Sequence, residues 1–424
     1  MLVLALLNSF QVFAMDKELK EYIDKRLSDH ETKIVKKKFE FGGYFRSGSN
    51  VFADGASKNS GQCFSLDYPK NDGFFYRLGN ECRDYSEFTL SHLHSKNGIN
   101  YRSVFMIDMA GDSRSPTSTE PWSRRTRQLY IEMSGLFTFD ANLWVGRRYY
   151  RSIGNIGDVH MVDSFHVQSS GNGFGLTDVK IGSGTYHFAL MAHGQEDSTY
   201  NNQNLLLDVR IDQKLNDHNS LQLGIQHLFP TDAKGSAPTT DGTTITGQWQ
   251  TKQKVFENKI VIQYGTGSFA QNPGCFGTDG ACYDLNADDS ASGFRIFTNG
   301  ILDWGPRLKL NYLALYEDSS KYHSLKSVGI RPHYTLSKYW SLLAEVSSSV
   351  YEVVNEGEQK LKKLTLALQA TLDASSFWER PSIRFYASNF DWNTDAATYS
   401  GISRPGEGSK TDATLFGVQG EVWF

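Results

Sequence analysis

The chain has 424 residues, of which 21% are charged and 13% aromatic, and its formal net charge is −4. A mean hydropathy of −0.44 excludes a polytopic helical membrane protein, and the aromatic content with only 10 prolines excludes a disordered chain. Since the charge is nearly balanced, we expect no nucleic-acid partner. A large β or mixed globular protein remains, or a transmembrane β-barrel, whose alternating faces average to a soluble hydropathy.

The first 38 residues differ from the rest. Residues 1–14 hold an apolar run followed by small residues at Val12 and Ala14, which predicts a secretory signal peptide, although no basic residue precedes the run. A short buried strand is the alternative. Residues 15–38 are highly charged and lack Gly and Pro, and their apolar residues recur at near-helical spacing. We interpret them as a helical extension, either a short coiled coil or a solvated tether.

From residue 39 onward, apolar and polar residues alternate with period two. Clear examples are 205–212, 221–226, 363–370 and 383–388. A half-buried sandwich strand alternates likewise, but no linker divides 39–424, and one sandwich core rarely grows to that length. A closed sheet satisfies every backbone group in lipid and leaves no edge. The pattern therefore predicts an all-β transmembrane barrel over residues 39–424.

Turn-forming residues separate these segments, in clusters that are either long or short. The Gly/Asn/Asp/Ser-rich clusters at 54–61, 231–243, 271–293 and 391–412 are long, whereas Asn97-Gly98 is the signature of a tight hairpin. Short turns on one rim and long polar loops on the other are typical of a transmembrane barrel.

The last strand supports the same architecture. Between Thr414 and Phe424, the apolar residues Phe416, Val418 and Val422 share one face with Phe424, and Gln419, Glu421 and Trp423 lie on the other. A closing barrel strand needs one lipid face and one lumen face.

Four cysteines are consistent with an exported protein. Nearest-neighbour pairing would join Cys63 to Cys82 and Cys275 to Cys282, closing two surface loops. Neither spacing is that of a zinc knuckle, and no His-rich partner lies nearby. We therefore expect disulfides rather than a metal.

Several strings in the barrel segment resemble the maltoporin (sugar-specific porin) family. They are FEFGGYFRSG from Phe39, YRLGNEC from Tyr76, YSE from Tyr85, GRRYYR from Gly146, DVHMVD from Asp158, GIRP from Gly329, WERPSIR from Trp378 and the final VWF. The resemblance covers roughly residues 39–424 in order. It implies an 18-stranded antiparallel barrel that forms a homotrimer in the outer membrane of a Gram-negative bacterium, embedded in its lipid, and that passes oligosaccharides. Residues 15–38 look like a shorter form of the periplasmic coiled-coil extension of sucrose porin-like relatives.

The family binds sugars with an aromatic slide beside a polar track, because sugar rings have apolar C–H faces and hydroxyl rims. The positions that match the slide are Tyr44, Tyr85, Trp378 and Trp423. Two further candidates are Phe256, near which the register slips by one around Asn258-Lys259, and Trp122, from a loop that in the family latches over a neighbouring subunit. Alternation independently points Tyr44 into the lumen, since it shares a strand face with Glu40 and Arg46. An interfacial girdle or a packing role is the alternative for each aromatic residue.

The polar track is matched by a set of ionic residues. They are Arg46, Arg77, Glu87, Arg127, Arg151, His160 and Asp163. Arginines and carboxylates make charge-assisted hydrogen bonds to hydroxyls, although a solvated lumen wall would have a similar composition. Since His160 and Asp163 lack a third ligand, we expect no metal, and no cofactor is implied.

The constriction departs from the family pattern. Phe165 stands where the family has a tyrosine, and six residues, Ser152–Gly157, are inserted in the same loop. We therefore expect a different or broader glycoside substrate than maltodextrin.

Other function classes remain open. A non-specific general diffusion porin would share the alternation and the charges but lack an ordered aromatic slide, and an adhesin would act through its long loops. An enzyme is not expected, because no nucleophile string such as GxSxG occurs.

Overall fold

The computed structural model describes residues 38–53, 64–66, 76–81, 84–111, 123–151, 168–194, 203–230, 240–275, 283–284, 286–400, 402 and 410–424. The signal peptide, all but the last residue of the charged extension, and several site residues lie outside these ranges. Those site residues are Cys63, Cys82, Trp122, His160, Asp163, Phe165 and Cys282, and the side chain of Cys275 is likewise not described.

Within the described residues, eighteen antiparallel strands form a single closed sheet, which confirms the predicted barrel. The strands are β1 (Lys38–Phe52), β2 (Asp84–Lys96), β3 (Ile99–Gly111), β4 (Ser123–Ser134), β5 (Asn142–Arg151), β6 (Gln168–Ile181), β7 (Gly184–Gly194), β8 (Gln203–Lys214), β9 (Asn219–Phe229), β10 (Gly242–Gln253), β11 (Phe256–Gly267), β12 (Ser292–Asp303), β13 (Leu308–Ser319), β14 (His323–Thr335), β15 (Trp340–Val353), β16 (Gly357–Thr371), β17 (Ser382–Trp392) and β18 (Asp412–Trp423). Each strand pairs with the next, and β1 closes the barrel by pairing with both β2 and β18.

The alternation in the sequence corresponds to the inner and outer surfaces of the barrel. In β16, Leu366 is 52% exposed on the outer surface, whereas its neighbour Thr365 is fully buried on the inner face. Period two places successive side chains on opposite faces of a strand, so the apolar set faces lipid and the polar set faces the lumen. No helix in the described part of the chain is long and apolar enough to cross a bilayer.

The connections on the two rims differ in length. Asn97 and Gly98 both have positive φ (54° and 79°) and join β2 to β3 directly, as a type I′ hairpin turn requires. On this short-turn rim, residues 372–381 form a longer connection between β16 and β17. On the opposite rim, the polar cluster 391–412 contains a short helix, α1 (Thr394–Tyr399), which the sequence did not predict and whose Ala396 N–H is capped by the Asn393 side chain.

Part of the β1–β2 connection folds into the barrel. Phe64 packs on the ring of Phe390, with 4.3 Å between centroids. The carbonyls of Tyr76 and Leu78 accept hydrogen bonds from the inward-pointing Lys363 (3.0 Å) and Thr365 (3.1 Å). Residues 64–66 and 76–81 therefore line the inner wall of β16 and β17 and bring Arg77 and Glu81 to the lumen.

A candidate sugar-binding track in the lumen

Four aromatic rings form a continuous row where β18, β1 and β2 meet. The ring centroids of Tyr85 and Tyr44 are 6.1 Å apart, those of Tyr44 and Trp423 6.5 Å, and those of Trp423 and Trp378 6.2 Å. Strand pairing explains the first three positions. Tyr44 lies directly opposite Trp423, and Arg46 lies directly opposite Tyr85, so these side chains share one face of the sheet and lie within reach along its diagonals.

Trp378 reaches the row from the connection 372–381 on the short-turn rim. Trp378 and Trp423 are 43% and 37% exposed, and Tyr44 and Tyr85 are half-buried. A row of rings with open faces offers successive flat apolar surfaces along the lumen, and such surfaces suit the C–H face of a sugar ring.

A first ionic group flanks the row beside Tyr44. The Tyr44 hydroxyl donates to Glu421 (2.9 Å) and accepts from Arg77 (3.4 Å). Glu81 accepts from Arg77 Nε at 2.7 Å and pairs with Arg46 Nε at 3.0 Å. Burial alone would raise the pKa of Glu81, but the positive charges of Arg46 and Arg77 outweigh that effect and hold the pKa below its ordinary value. This carboxylate is therefore ionised at neutral pH and fixes both arginines.

A second ionic group lies at the other end of the row. The Tyr85 hydroxyl donates to Glu87. Asp108, directly opposite Glu87 in β3, accepts from Arg127 Nε at 2.6 Å and from Arg125 NH2 at 3.1 Å. A register shift in β4 accompanies this cluster, because Met106 pairs with Gln128 and Ile107 with Thr126, so that Arg127 bulges from the ladder.

Arg151 lies one strand further along the wall. Its guanidinium carbon is 3.7 Å from the centroid of the Tyr149 ring, and that of Arg127 is 5.8 Å from the same ring. The structure thus brings the predicted residues Arg46, Arg77, Glu87, Arg127 and Arg151 to the wall beside the rings. Sequence reasoning missed Asp108, Arg125 and Tyr149. Strand parity was an available signal for Asp108 alone, because Arg125 and Tyr149 have the parity of Leu129 and Val145, whose side chains are exposed on the outer surface.

Phe256 is placed differently from the other aromatic candidates. It begins β11 and has the strand parity of Ile262 and Tyr264, whose side chains are exposed on the outer surface. The β11–β12 ladder runs without a shift from Phe256–Leu302 to Thr266–Ser292. Phe256 nevertheless lines a cavity of about 500 Å³ at the short-turn rim together with Trp378.

That cavity combines these two aromatic side chains and Phe377 with charged residues. They are Lys252, Lys254, Glu257, Asp303 and Lys309. Lys252 pairs with Glu257 (3.2 Å), and Lys309 pairs with Asp303. The row therefore ends, at Trp378, in a chamber that also presents ionic hydrogen-bonding groups.

Comparisons with known proteins show the family of this chain. The model of the LamB porin family matches residues 39–424. The chain is 31% identical over 402 residues to a maltoporin of Hahella chejuensis (strain KCTC 2396), and the match covers 91% of this chain and 92% of that protein.

Two solved structures are similar in fold. The crystal structure of Acinetobacter baumannii OccAB1 has a TM-score of 0.50 at 8% identity, covering 92% of this chain and 96% of that one. Pseudomonas aeruginosa OccD3 (OpdP) has a TM-score of 0.49 at 8% identity, with 91% of each chain covered. At this identity the likeness to OccAB1 concerns the fold alone.

Proposed function

We propose that this chain, which belongs to the LamB porin family, is a sugar-selective channel of the bacterial outer membrane. Oligosaccharides would diffuse passively through it along the row Tyr85–Tyr44–Trp423–Trp378. The observation that carries the proposal is the spacing of that row, in which each ring centroid is 6.1–6.5 Å from the next. A general diffusion porin has no need of such an ordered surface.

The aromatic row and the ionic groups contribute different interactions to sugar binding. Stacking on any one ring is worth only about 1 kcal/mol, so a sugar can move from ring to ring without meeting a deep trap. The guanidinium of Arg46 and the carboxylate of Glu87 provide charge-assisted hydrogen bonds to hydroxyls, which replace those lost to water. The chemistry is therefore binding and sliding, with no bond made or broken.

The chamber at the short-turn rim would be the exit. A sugar that leaves Trp378 meets Phe256 and the ion pairs Lys252–Glu257 and Lys309–Asp303. These groups can accept and donate hydrogen bonds to hydroxyls as the sugar is rehydrated.

Residues at the entrance are expected to give a substrate specificity different from that for maltodextrin. His160, Asp163, Phe165 and the insertion Ser152–Gly157 belong to the β5–β6 connection, and Trp122 belongs to the β3–β4 connection. Replacing a tyrosine by Phe165 removes a hydroxyl that could bond the sugar, so we propose a different or broader glycoside substrate.

The outer surface of β1–β5 would be a subunit contact of a homotrimer. His92 shares the outward face of Phe39, with 4.6 Å between ring centroids, and His94 lies 5.2 Å from Tyr101. Beside them an outer groove of about 520 Å³ is lined by apolar residues that include Leu129. Placing histidine side chains against lipid costs free energy. We therefore expect this outer surface of β1–β5 to contact protein.

The ends and loops complete the proposal. Residues 1–14 would direct export and be removed, and residues 15–38 would extend into the periplasm. Disulfides Cys63–Cys82 and Cys275–Cys282 would close two loops, which suits an oxidising compartment.

Sugar-dependent block of ion current tests the proposal against the general porin. The purified protein is inserted into planar bilayers and titrated with gluco-, fructo- and β-linked oligosaccharides. We expect saturable block by at least one series, with dissociation constants that depend on chain length because longer sugars cover more rings. A current that no oligosaccharide reduces would favour a non-specific porin.

A further inference from the structure

A buried arginine lies directly behind the aromatic row. Arg380 belongs to the connection 372–381, and its side chain is only 1% exposed. Its guanidinium carbon is 4.1 Å from the centroid of the Trp423 ring. One face of this indole is therefore covered by a cation, and a guanidinium stacked on an aromatic face is attracted by the ring quadrupole.

The guanidinium is held on several sides. Arg380 Nε donates to Glu421 Oε2 at 2.8 Å, and NH2 lies 2.7 Å from the same oxygen. NH1 donates to the carbonyls of Phe377 and Glu379, both at 2.9 Å. The two carbonyls flank Trp378 in the chain, so one side chain fixes the backbone on either side of Trp378 and backs the ring of Trp423.

Glu421 links this arginine to the rest of the row. It lies two residues before Trp423 on the same face of β18, and its Oε1 accepts the Tyr44 hydroxyl at 2.9 Å. Arg384 NH1, from β17, lies 3.1 Å from Oε2. The Glu421 carboxylate thus contacts Tyr44 directly, and it anchors Arg380, which contacts Trp423 and the backbone on either side of Trp378.

We propose that Arg380, anchored on Glu421, is a positioning residue that sets the orientation of Trp423 and Trp378 and thereby determines how tightly the row holds a sugar. The inference rests on the proposed function and deepens it. A ring that is free to rotate must lose that freedom when a sugar stacks on it, whereas a clamped ring does not. Loss of the clamp should therefore speed sugar dissociation and leave the association rate unchanged, because the route into the channel is the same.

The test variant is Arg380→Lys, which keeps the charge but loses the planar face and the fork of donors. The matched control is Arg384→Lys, which disturbs the same carboxylate oxygen from β17. For each variant, sugar-free conductance and heat resistance of the assembly establish that the channel has formed. Sugar association and dissociation rates then come from current noise with an oligosaccharide that blocks the wild type.

We expect Arg380→Lys to raise the dissociation constant about tenfold, through the off-rate, since immobilising a side chain on binding costs on the order of the free energy that a tenfold change represents. Arg384→Lys should shift it by less than about 3-fold. In a Trp423→Leu background, Arg380→Lys should have a much smaller effect, because the two residues act as one unit.

Failure of this inference is distinguishable from failure of the proposed function. If the wild type is blocked by sugar but Arg380→Lys matches it, or if Arg380→Lys acts equally in the Trp423→Leu background, Arg380 does not act through the ring and the inference is wrong. If no sugar blocks the wild type, the proposed function fails, and the positioning role fails with it.

Discussion

Tyr44 is the ring whose loss should damage the row most. It lies between Tyr85 and Trp423 at 6.1 and 6.5 Å, so Tyr44→Leu would leave those two rings with no aromatic neighbour between them. The apolar face of one ring and its stacking contribute about 1–2 kcal/mol to a bound sugar. We therefore expect the dissociation constant to rise about 5- to 30-fold.

Tyr44→Phe separates the ring from its hydroxyl. The hydroxyl bonds Glu421 and Arg77, but Glu421 keeps the guanidinium groups of Arg380 and Arg384. Because the ring remains, affinity should change by no more than about 2- to 3-fold.

Current block by a titrated oligosaccharide measures both variants, with sugar-free conductance as the check that each channel has formed. The reasoning would be refuted if Tyr44→Phe lost as much affinity as Tyr44→Leu. In that case the hydroxyl, not the ring, would be the main contact.

Three further predictions concern charges and the outer surface. The lowered pKa of Glu81 means that its ion pair with Arg46 contributes fully above the ordinary value of 4.5 and is lost as the pH falls through the lowered value. Protection of the amides of residues 76–81, measured relative to the intrinsic exchange rate at each pH, should therefore fall only below about pH 4.5, and in Glu81→Gln it should be low at every pH. Asp108→Asn removes the carboxylate that pairs with Arg127, so the reversal potential in a KCl gradient should shift toward anion selectivity, and an unchanged potential would contradict this assignment. Leu129→Lys places a charge in the outer groove and should abolish an SDS-resistant oligomer while leaving the heat-modifiable monomer, whereas an intact oligomer would place the subunit contact elsewhere.

The barrel was predictable because its signals are local. The alternation around Leu366 and the turn at Asn97-Gly98 each depend on a few consecutive residues, and both occur as expected. The number of strands came from the family resemblance and not from periodicity. The helix at Thr394–Tyr399 was missed because a cluster of polar and turn-forming residues predicts a loop, and its Asn393 cap is a weak signal in such a cluster.

The candidate site was predictable where strand parity applies. Parity places Tyr44 and Trp423 on the lumen face, and the pairing of β1 with β18 sets them opposite each other. Trp378 and Arg380 lie in a connection, where side chains follow no strand alternation. Only the family resemblance indicated a role for Trp378, and no sequence signal indicated one for Arg380. The ion pair of Arg380 with Glu421 spans 41 positions in the chain, and it depends on the register of β17 and β18, in which Ser382 lies opposite Glu421.

A crystal structure of the protein with a bound oligosaccharide would test the central claim most directly. We expect consecutive sugar rings stacked on Tyr85, Tyr44, Trp423 and Trp378, with hydroxyls bonded to Arg46 and Glu87. A sugar held on the opposite wall of the barrel, away from all four rings, would contradict it.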